Sequence, residues 1–541
     1  MPELARSHPP LHDNHVAYNV PTMRLRIGIL TVLLATASAI AMLSAAELVR
    51  VEGGQIAGAV DRDVRVFKGI PYAAAPVGDL RWKPPQPLVP WSGIRSASSF
   101  GAECPQTPYG AGSVYIRPPQ PQSEDCLFLN VWTAATAGET RPVFVWIHGG
   151  ALTKGSGISD VRNGVPLAQQ GVVVVSLNYR LGALGYLAHP ELSAESPHKS
   201  SGNYGVLDQI AALAWVKKNI AAFGGDPSRV TIGGESAGSW SVNALVASPL
   251  AKGLFIRAIG QSGGRFSRTP HLTDDRGSQQ PAEHLGREFA KALGAESLAA
   301  LRALPAEKLA AAAIRTQEVV DGWVLPDEIR AIFAEKKHNK VSVIVGSNRD
   351  EMTSLGGAAT APKTLEDLRK RMSQQFGELA GEFETAYGVQ GDAGVTDAIL
   401  ALGRDMTFTS HMRNWARATT AAGQQAYLYF FTHTPPHPRA LELKAFHASE
   451  IPYVFNVVPS PDPREAGFVY TDIDRTLAAA MSQYWVNFIS TGDPNGQGLA
   501  TWQPYSPQTE PYLEFGSSIR AGNHLLMREL DFLEKALARR P

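Results

Sequence analysis

The spacing of apolar residues changes along the chain, from isolated short strands to an alternation of strands and helices. Up to about residue 135 the pattern predicts short strands and turns, most clearly strands at 64–67 and 127–132. Continuous β-branched runs then occupy 143–147 and 172–177, as is typical of strands buried on both faces of a sheet. An amphipathic helix is predicted over 207–220, before a glycine-rich turn.

The same alternation continues to the C-terminal part of the chain. The predicted strands are 230–233, 256–260, 343–346 and 427–432, and the predicted helices are 237–246 and 476–489. Strands that alternate with helices indicate an α/β protein with a mostly parallel sheet, covered by helices on both faces. Two helical stretches, 266–335 and 360–420, are interpreted as insertions that decorate this sheet and not as separate domains.

Charge and length limit the classes of function. The chain has 541 residues, with 50 basic and 50 acidic side chains and a formal net charge of zero. Because nucleic-acid-binding proteins usually carry a basic excess, this balance argues against a nucleic-acid partner. We find no internal repeat, and we predict one large domain and not an array.

The N-terminal segment differs from the rest. Residues 1–22 are polar and are interpreted as a non-native or misassigned extension, and the sequence leaves open whether Met1 or Met23 is the true start. Arg24 and Arg26 then precede an apolar run that ends in small residues at Ala46. This order predicts a signal peptide over 23–46, and therefore a secreted or periplasmic protein without a stable membrane span after cleavage. The alternative is an uncleaved membrane anchor, since the run approaches bilayer-spanning length.

The chain has two cysteines, Cys104 and Cys126. In an exported protein such a pair predicts a disulfide, whereas two free buried thiols would be expected in a cytosolic one.

Two serines occupy the pattern Gly-x-Ser-x-Gly, and their contexts differ. Ser236 follows the predicted strand 230–233 and precedes the predicted helix 237–246, the arrangement that a nucleophile elbow requires. Ser262 also follows a strand, but the residues after it are a poor start for a helix. We therefore predict that Ser236 is the nucleophile and that Ser262 has a structural role.

A serine nucleophile needs hydrogen-bond donors for the negative charge that develops on the substrate carbonyl. One predicted donor is the backbone amide of Ala237, directly after the nucleophile. The others come from the glycine-rich turn His148-Gly149-Gly150-Ala151, which follows the strand at 143–147.

In enzymes with such a nucleophile elbow, the acid and the base follow the serine along the chain, in the order serine, acid, histidine. The histidines that qualify are His271, His284, His338, His411, His433, His437, His447 and His524. We favour His447, which lies in a loop after a strand with apolar residues on each side. Asp350 and Glu351 both follow the strand at 343–346, and the residues alone do not decide between them.

Several longer motifs occur in order between about residue 49 and residue 520. They are Phe67-Lys68-Gly69-Ile70-Pro71-Tyr72-Ala73, Glu124-Asp125-Cys126-Leu127-Phe128-Leu129-Asn130, Asn178-Tyr179-Arg180-Leu181-Gly182 and Asn203-Tyr204-Gly205-Val206-Leu207-Asp208-Gln209. On these motifs the chain resembles the type-B carboxylesterase family, which contains bacterial para-nitrobenzyl esterases, fungal lipases and cholinesterases. The resemblance implies an α/β-hydrolase fold, with one catalytic domain over 47–541.

The resemblance also implies residue roles. The acid is then Glu351 and the base is His447. The oxyanion donors are Gly150, Ala151 and Ala237, and the polar residues around the triad are Glu235, Ser262 and Glu450. The pair Cys104–Cys126 matches the first disulfide of the family.

The chain departs from the family pattern at a few positions. Met352 follows the acid where glycine is usual, and Ala151 stands where many members have glycine. The loop 105–125 contains Tyr109 and Tyr115 but lacks the tryptophan that binds quaternary ammonium groups in cholinesterases. A specialised choline esterase is therefore disfavoured.

The predicted function is hydrolysis of a small-molecule carboxylic ester through an acyl-enzyme on Ser236, with no metal or organic cofactor. An interfacial lipase that uses the same triad is the alternative. A non-catalytic, cholinesterase-like binding module is disfavoured, because such members lose the serine or the histidine.

Overall fold

The computed structural model describes residues 47–158, 162–275, 280–314, 316–459 and 468–538. The predictions for the extension 1–22 and the signal peptide 23–46 therefore lie outside the described residues. Across the described ranges, no helix has the length and apolar character needed to cross a membrane.

The centre of the molecule is one large mixed β-sheet. Its strands in chain order are β1 (Glu47–Val51), β2 (Gly54–Asp61), β3 (Val64–Pro71), β4 (Ile94–Ser96), β5 (Phe128–Thr133), β6 (Arg141–Ile147), β7 (Val173–Leu177), β8 (Gly225–Glu235), β9 (Arg257–Gln261), β10 (Ser342–Asn348), β11 (Ala426–Phe431), β12 (Pro511–Phe515) and β13 (Ile519–Asn523). Their spatial order is β1-β2-β3-β5-β7-β6-β8-β9-β10-β11-β12-β13, with β4 beside β2.

The middle of this sheet is parallel and its ends are antiparallel. Strands β7, β6, β8, β9, β10, β11 and β12 pair in parallel. The pairs from β1 to β7 at one end, and β12 with β13 at the other, are antiparallel. The mostly parallel sheet is thus confirmed, and the carboxyl ends of its parallel strands share one edge.

Strand β8 differs from its predicted bounds, because pairing begins at Gly225 and not at Val230. The register with β6 shifts between the pairs Arg141↔Gly225 and Val143↔Val230. The segment predicted as a turn therefore forms an irregular start to the strand that leads to Ser236.

Helices cover both faces. They are α1 (Val165–Gln169), α2 (Gly182–Tyr186), α3 (Pro190–Glu195), α4 (Tyr204–Asn219), α5 (Ala237–Ala247), α6 (Ala282–Ala292), α7 (Leu298–Arg302), α8 (Ala306–Ala311), α9 (Ile329–Ala334), α10 (Leu365–Phe376), α11 (Ala380–Ala386), α12 (Asp392–Arg404), α13 (Ser410–Ala421), α14 (Ala440–Leu443), α15 (Ile451–Val454), α16 (Asp472–Thr491) and α17 (Met527–Ala538).

Alternate residues of β6 show why both faces must be covered. Val143, Val145 and Ile147 pack in one apolar core, which includes residues of α4 and α5. Phe144 and Trp146 pack in a second core with residues of α16. Because successive side chains of a strand point to opposite faces, these two cores lie on the two sides of the sheet.

The predicted insertions are helical. The stretch 266–335 contains α6 to α9, whose apolar residues join the core of α4 and α5. The stretch 360–420 contains α10 to α12 and most of α13, and residues of α10 to α12 form a smaller core with α17. The region Glu47–Pro541 forms one compact unit.

Candidate active site

Ser236 lies at a sharp turn between β8 and α5. Its backbone has φ 57° and ψ −124°, a conformation that non-glycine residues seldom adopt and that is expected of a nucleophile elbow. A Cβ on Gly238 would lie 2.1 Å from the carbonyl oxygen of Ile147, so only glycine fits there. The turn is held from the next strand, since the amide of Ser236 donates to the carbonyl of Gln261 (2.9 Å).

Ser262 lies in a different environment. It directly follows β9, and the next α-helix in the described part of the chain begins only at Ala282. The residue is completely buried, and its hydroxyl has no hydrogen-bond partner among the described residues. The two serines of the pattern therefore lie in different surroundings.

The glycine-rich turn lies beside the elbow, after β6. Gly150 and Ala151 both have positive φ, 108° and 55°. Their backbone amides have no hydrogen-bond acceptor within the part of the chain that the structure describes. The amide of Ala237 is equally available, because it belongs to the first turn of α5, where N–H groups lack an intrahelical acceptor.

A buried carboxylate–imidazole pair completes the site. Nδ1 of His447 lies 2.6 Å from Oε2 of Glu351. The second oxygen of Glu351 accepts the backbone N–H of Asn348 (2.8 Å), and the side chain is completely buried. Asp350 instead contacts the guanidinium of Arg349 and accepts the backbone N–H of Ala445. Of the two acids that the sequence left open, the structure brings Glu351 to His447.

Other histidines on the sequence-based list have different partners. His433 Nε2 lies 2.7 Å from Asp474 Oδ1, at the start of α16. His437 lines the same cavity as Ser236, and its ring packs on the rings of Phe446 and Phe468.

Glu235 and Glu450 flank His447, as the family resemblance implies. Oε1 of Glu235 lies 3.1 Å from Nε2 of His447, the nitrogen that faces away from Glu351. Glu450 accepts from Gln261 Nε2 (2.9 Å) and from Asn348 Nδ2 (2.7 Å). This network orients the loop of His447 from the ends of β9 and β10.

The sequence analysis did not identify Gln261 and Asn348. Each is the last residue of a buried parallel strand, at the edge where ligands bind in α/β proteins, and this position is the signal that could have revealed them.

Burial and carboxylates shift the pKa values of the site. Burial raises the pKa of Glu235 to about 8. Burial alone would lower the pKa of His447, but the neighbouring carboxylates of Glu235 and Glu351 outweigh it and raise that pKa to about 9. Burial, with a smaller contribution from Glu351, also raises the pKa of Glu450. The imidazolium form of His447 is therefore favoured by its surroundings.

Two aromatic residues contact His447, one at its imidazole and one at its backbone carbonyl. Phe408 stacks on it, with ring centroids 4.8 Å apart, from a π-helical segment at Asp405–Thr409. The Tyr115 hydroxyl donates to the backbone carbonyl of His447 (3.0 Å) and lies 2.7 Å from Ser354 Oγ. Tyr115 belongs to the loop closed by the disulfide Cys104–Cys126, which is formed in the structure. Neither role is visible in the sequence pattern.

These groups surround a cavity of about 340 Å³. Its lining includes Ser236, Glu235, His447 and the turn Gly149, Gly150 and Ala151. Further lining comes from Lys154 and Arg162, from the disulfide loop and from the segments around Leu355, Pro435, Phe446 and Phe468. The cavity is thus large enough for a small organic ester and brings it to the elbow serine.

Comparisons with known proteins identify the family of the chain. A model of the carboxylesterase family matches residues 45–533. The chain is 38% identical to a fumonisin B1 esterase of Sphingopyxis macrogoltabida, over 88% of this chain and 87% of that protein. It is 34% identical to the para-nitrobenzyl esterase of Bacillus subtilis, over 88% and 96%.

The structural comparison gives the same result. The crystal structure of a Geobacillus stearothermophilus carboxylesterase superposes with a TM-score of 0.78 at 33% identity, over 90% of this chain and 99% of that one. The chain therefore belongs to the carboxylesterase family, with the α/β-hydrolase fold, and it is a serine hydrolase of carboxylic esters.

Proposed function

We propose that Ser236, His447 and Glu351 are the catalytic triad of this hydrolase. The observation that carries the proposal is the 2.6 Å contact between His447 and Glu351 in the cavity where Ser236 stands at the elbow. Histidine is suited to the role of base because it can accept and return a proton near neutral pH.

The proposed reaction has two steps. Oγ of Ser236 attacks the ester carbonyl carbon while Nε2 of His447 takes the hydroxyl proton. The tetrahedral intermediate collapses to an acyl-enzyme, and His447 gives its proton to the departing alkoxide, which leaves as the alcohol. Water then attacks the acyl-enzyme with His447 again as base, which releases the acid and restores Ser236.

The backbone amides of Gly150, Ala151 and Ala237 are proposed as the oxyanion hole. Support comes from their place beside Ser236 and from the absence of acceptors for Gly150 and Ala151 among the described residues. Donors fixed in advance stabilise the oxyanion without reorganisation, and one such donor is commonly worth about a hundredfold in kcat.

Glu351 is proposed to hold His447 in the tautomer with the proton on Nδ1 and to stabilise the imidazolium. We assign Glu235 an electrostatic role at Nε2, and Glu450 a positioning role through Asn348 and Gln261. The part proposed for Ser262 is structural, because its side chain is completely buried.

The direct test compares two serine variants. Ser236→Ala should remove nearly all hydrolysis of para-nitrophenyl butyrate, a loss of several orders of magnitude, with an unchanged circular dichroism spectrum. Ser262→Ala is the matched control, since it alters a serine in the same Gly-x-Ser-x-Gly pattern and should retain turnover. Full activity of Ser236→Ala would refute the triad.

Within the ester hydrolases, we propose that the protein acts on soluble small-molecule esters and not at oil–water interfaces. The cavity volume of about 340 Å³ is near the lower end for ligand pockets and supports short acyl groups. A series of para-nitrophenyl esters should show falling kcat/KM for long acyl chains and no rise in rate where the ester forms an emulsion. A sharp rise at that point would favour the interfacial lipase.

The chain is proposed to be one exported catalytic domain over residues 47–541. The compact unit Glu47–Pro541 and the disulfide Cys104–Cys126 support this, because disulfides persist in oxidising compartments. N-terminal sequencing of the protein recovered outside the cytoplasm should give Glu47 as the first residue. A mature protein that retains the segment 23–46 would contradict cleavage.

A further inference from the structure

Among the described residues that line it, the active-site cavity carries more positive than negative side chains. Arg117, Lys154 and Arg162 line it together with Ser236. Glu235 is the only carboxylate in the described part of that lining. A cavity built for an uncharged ester needs no such excess of charge.

Arg117 does not account for the excess, because its charge is balanced. Its guanidinium forms an ion pair with Glu103, which is 2% exposed, and also donates to Ser156 Oγ. We regard this pair as a structural link between the disulfide loop and the segment after the glycine-rich turn.

Lys154 has only uncharged partners among the described residues. Its ammonium group donates to Thr107 O (2.7 Å), Thr107 Oγ1 (2.7 Å) and Pro108 O (2.8 Å), and lies 5.3 Å from the ring centroid of Tyr109. Loss of water lowers its pKa, with no carboxylate to oppose the shift. The partly desolvated ammonium group of Lys154, surrounded by uncharged dipoles, attracts the anionic group of a ligand. Because its three N–H donors are already occupied, this attraction is electrostatic and does not depend on a direct hydrogen bond.

Both cations are close to the reacting groups. The backbone amide of Lys154 donates to the carbonyl of Gly150 (2.9 Å), which fixes the residue to the proposed oxyanion turn. The charge of Arg162 acts on the carboxyl group of Glu235, directly before Ser236, and lowers its pKa against the larger effect of burial. The same charge acts on His148 in the glycine-rich turn.

We propose that Lys154 and Arg162 form an anion subsite, and that the preferred substrates are esters that carry a free carboxylate. This inference rests on the proposed function of the same cavity and names its substrate class. The carboxylate could belong to the acyl group or to the alcohol, and the experiment distinguishes the two.

The test uses two matched pairs of substrates. The acyl pair is para-nitrophenyl hydrogen adipate and para-nitrophenyl hexanoate, which have the same chain length. The alcohol pair is para-acetoxybenzoate and its methyl ester. For each pair the ratio of kcat/KM, anionic over neutral, is measured in the wild type, Lys154→Gln and Arg162→Gln, after subtraction of the rate without enzyme.

We expect each variant to lower this ratio about tenfold for one of the two pairs, and added salt to lower it in the wild type. The pair that responds identifies the side of the ester that carries the carboxylate. Lys291→Gln, which removes an exposed positive charge from α6, is the matched control and should leave both ratios unchanged.

Ratios that stay constant in both variants would overturn the proposal. An equal loss for anionic and neutral esters in Lys154→Gln would count against it as well, because that result indicates only an anchor for Thr107 and Pro108. Either result leaves the proposed triad intact, since that depends on turnover of the neutral ester and its loss in Ser236→Ala.

Discussion

Replacement of Glu351 by glutamine tests the geometry of the proposed triad, because the structure dictates how the new amide must point. Oε1 of Glu351 accepts the backbone N–H of Asn348 (2.8 Å), so the oxygen of a glutamine side chain must take that place. Its NH₂ group then faces Nδ1 of His447, 2.6 Å away in the wild type. Nδ1 must become an acceptor, and the imidazole proton moves to Nε2, where it prevents general-base catalysis.

The size of the effect follows from this change of tautomer. Loss of the correct tautomer in a serine triad costs about four orders of magnitude in kcat, or about 5 kcal/mol of transition-state free energy. Folding should be preserved, because the volume and the hydrogen bond to Asn348 are kept. The assay is kcat for para-nitrophenyl butyrate with wild type and Glu351→Gln.

Asp350→Asn is the matched control. Asp350 accepts the amide of Ala445 and contacts Arg349, so its amide variant should keep kcat within about threefold of the wild type, the cost of at most a weakened exposed ion pair. A large loss in Asp350→Asn together with little loss in Glu351→Gln would refute the assignment of the acid.

Three further predictions concern groups around the triad. The carboxylates beside His447 raise its pKa to about 9, so kcat/KM should rise with pH towards that value. Glu235→Gln removes a negative charge near Nε2 and should move the midpoint of this pH profile to lower pH. An unchanged midpoint would contradict this prediction. Tyr115→Phe removes the hydrogen bond to the His447 carbonyl and should lower kcat severalfold, which corresponds to roughly the 0.5–1.5 kcal/mol of one hydrogen bond. KM should change little. A change in KM alone would instead indicate that Tyr115 contacts the substrate. The double variant Cys104→Ser, Cys126→Ser opens a loop with a sequence separation of 22 residues. Because the disulfide restricts the unfolded chain, its loss should lower the free energy of unfolding by about 3 kcal/mol in urea denaturation. An unchanged urea midpoint would contradict this stabilising effect.

The fold was predictable where local pattern and burial agree. The apolar runs at β6 and β7 are buried on both faces, so their sequence has one interpretation and the structure confirms it. Strand β8 begins earlier than predicted, because Gly225, Asp226 and Pro227 are turn-forming residues that tertiary pairing with β6 draws into the strand.

The site was predictable to the extent that its residues are close in sequence. The elbow and the glycine-rich turn are local motifs, and Ser236, Gly150 and Ala151 have positive φ in the structure. The contact of His447 with Glu351 spans 96 residues and was available only from the family resemblance. Contacts of Tyr115 and Phe408 with His447 depend on how a loop and a π-helical segment pack, which no local pattern encodes.

Covalent labelling tests the central claim most directly. Paraoxon transfers a diethylphosphoryl group to an activated serine, and the site of transfer is read by peptide mass spectrometry. The account predicts one group per chain, on Ser236, with loss of esterase activity in proportion to labelling, and no labelling in Ser236→Ala. Labelling on Ser262 or on another residue in proportion to inactivation would contradict the account.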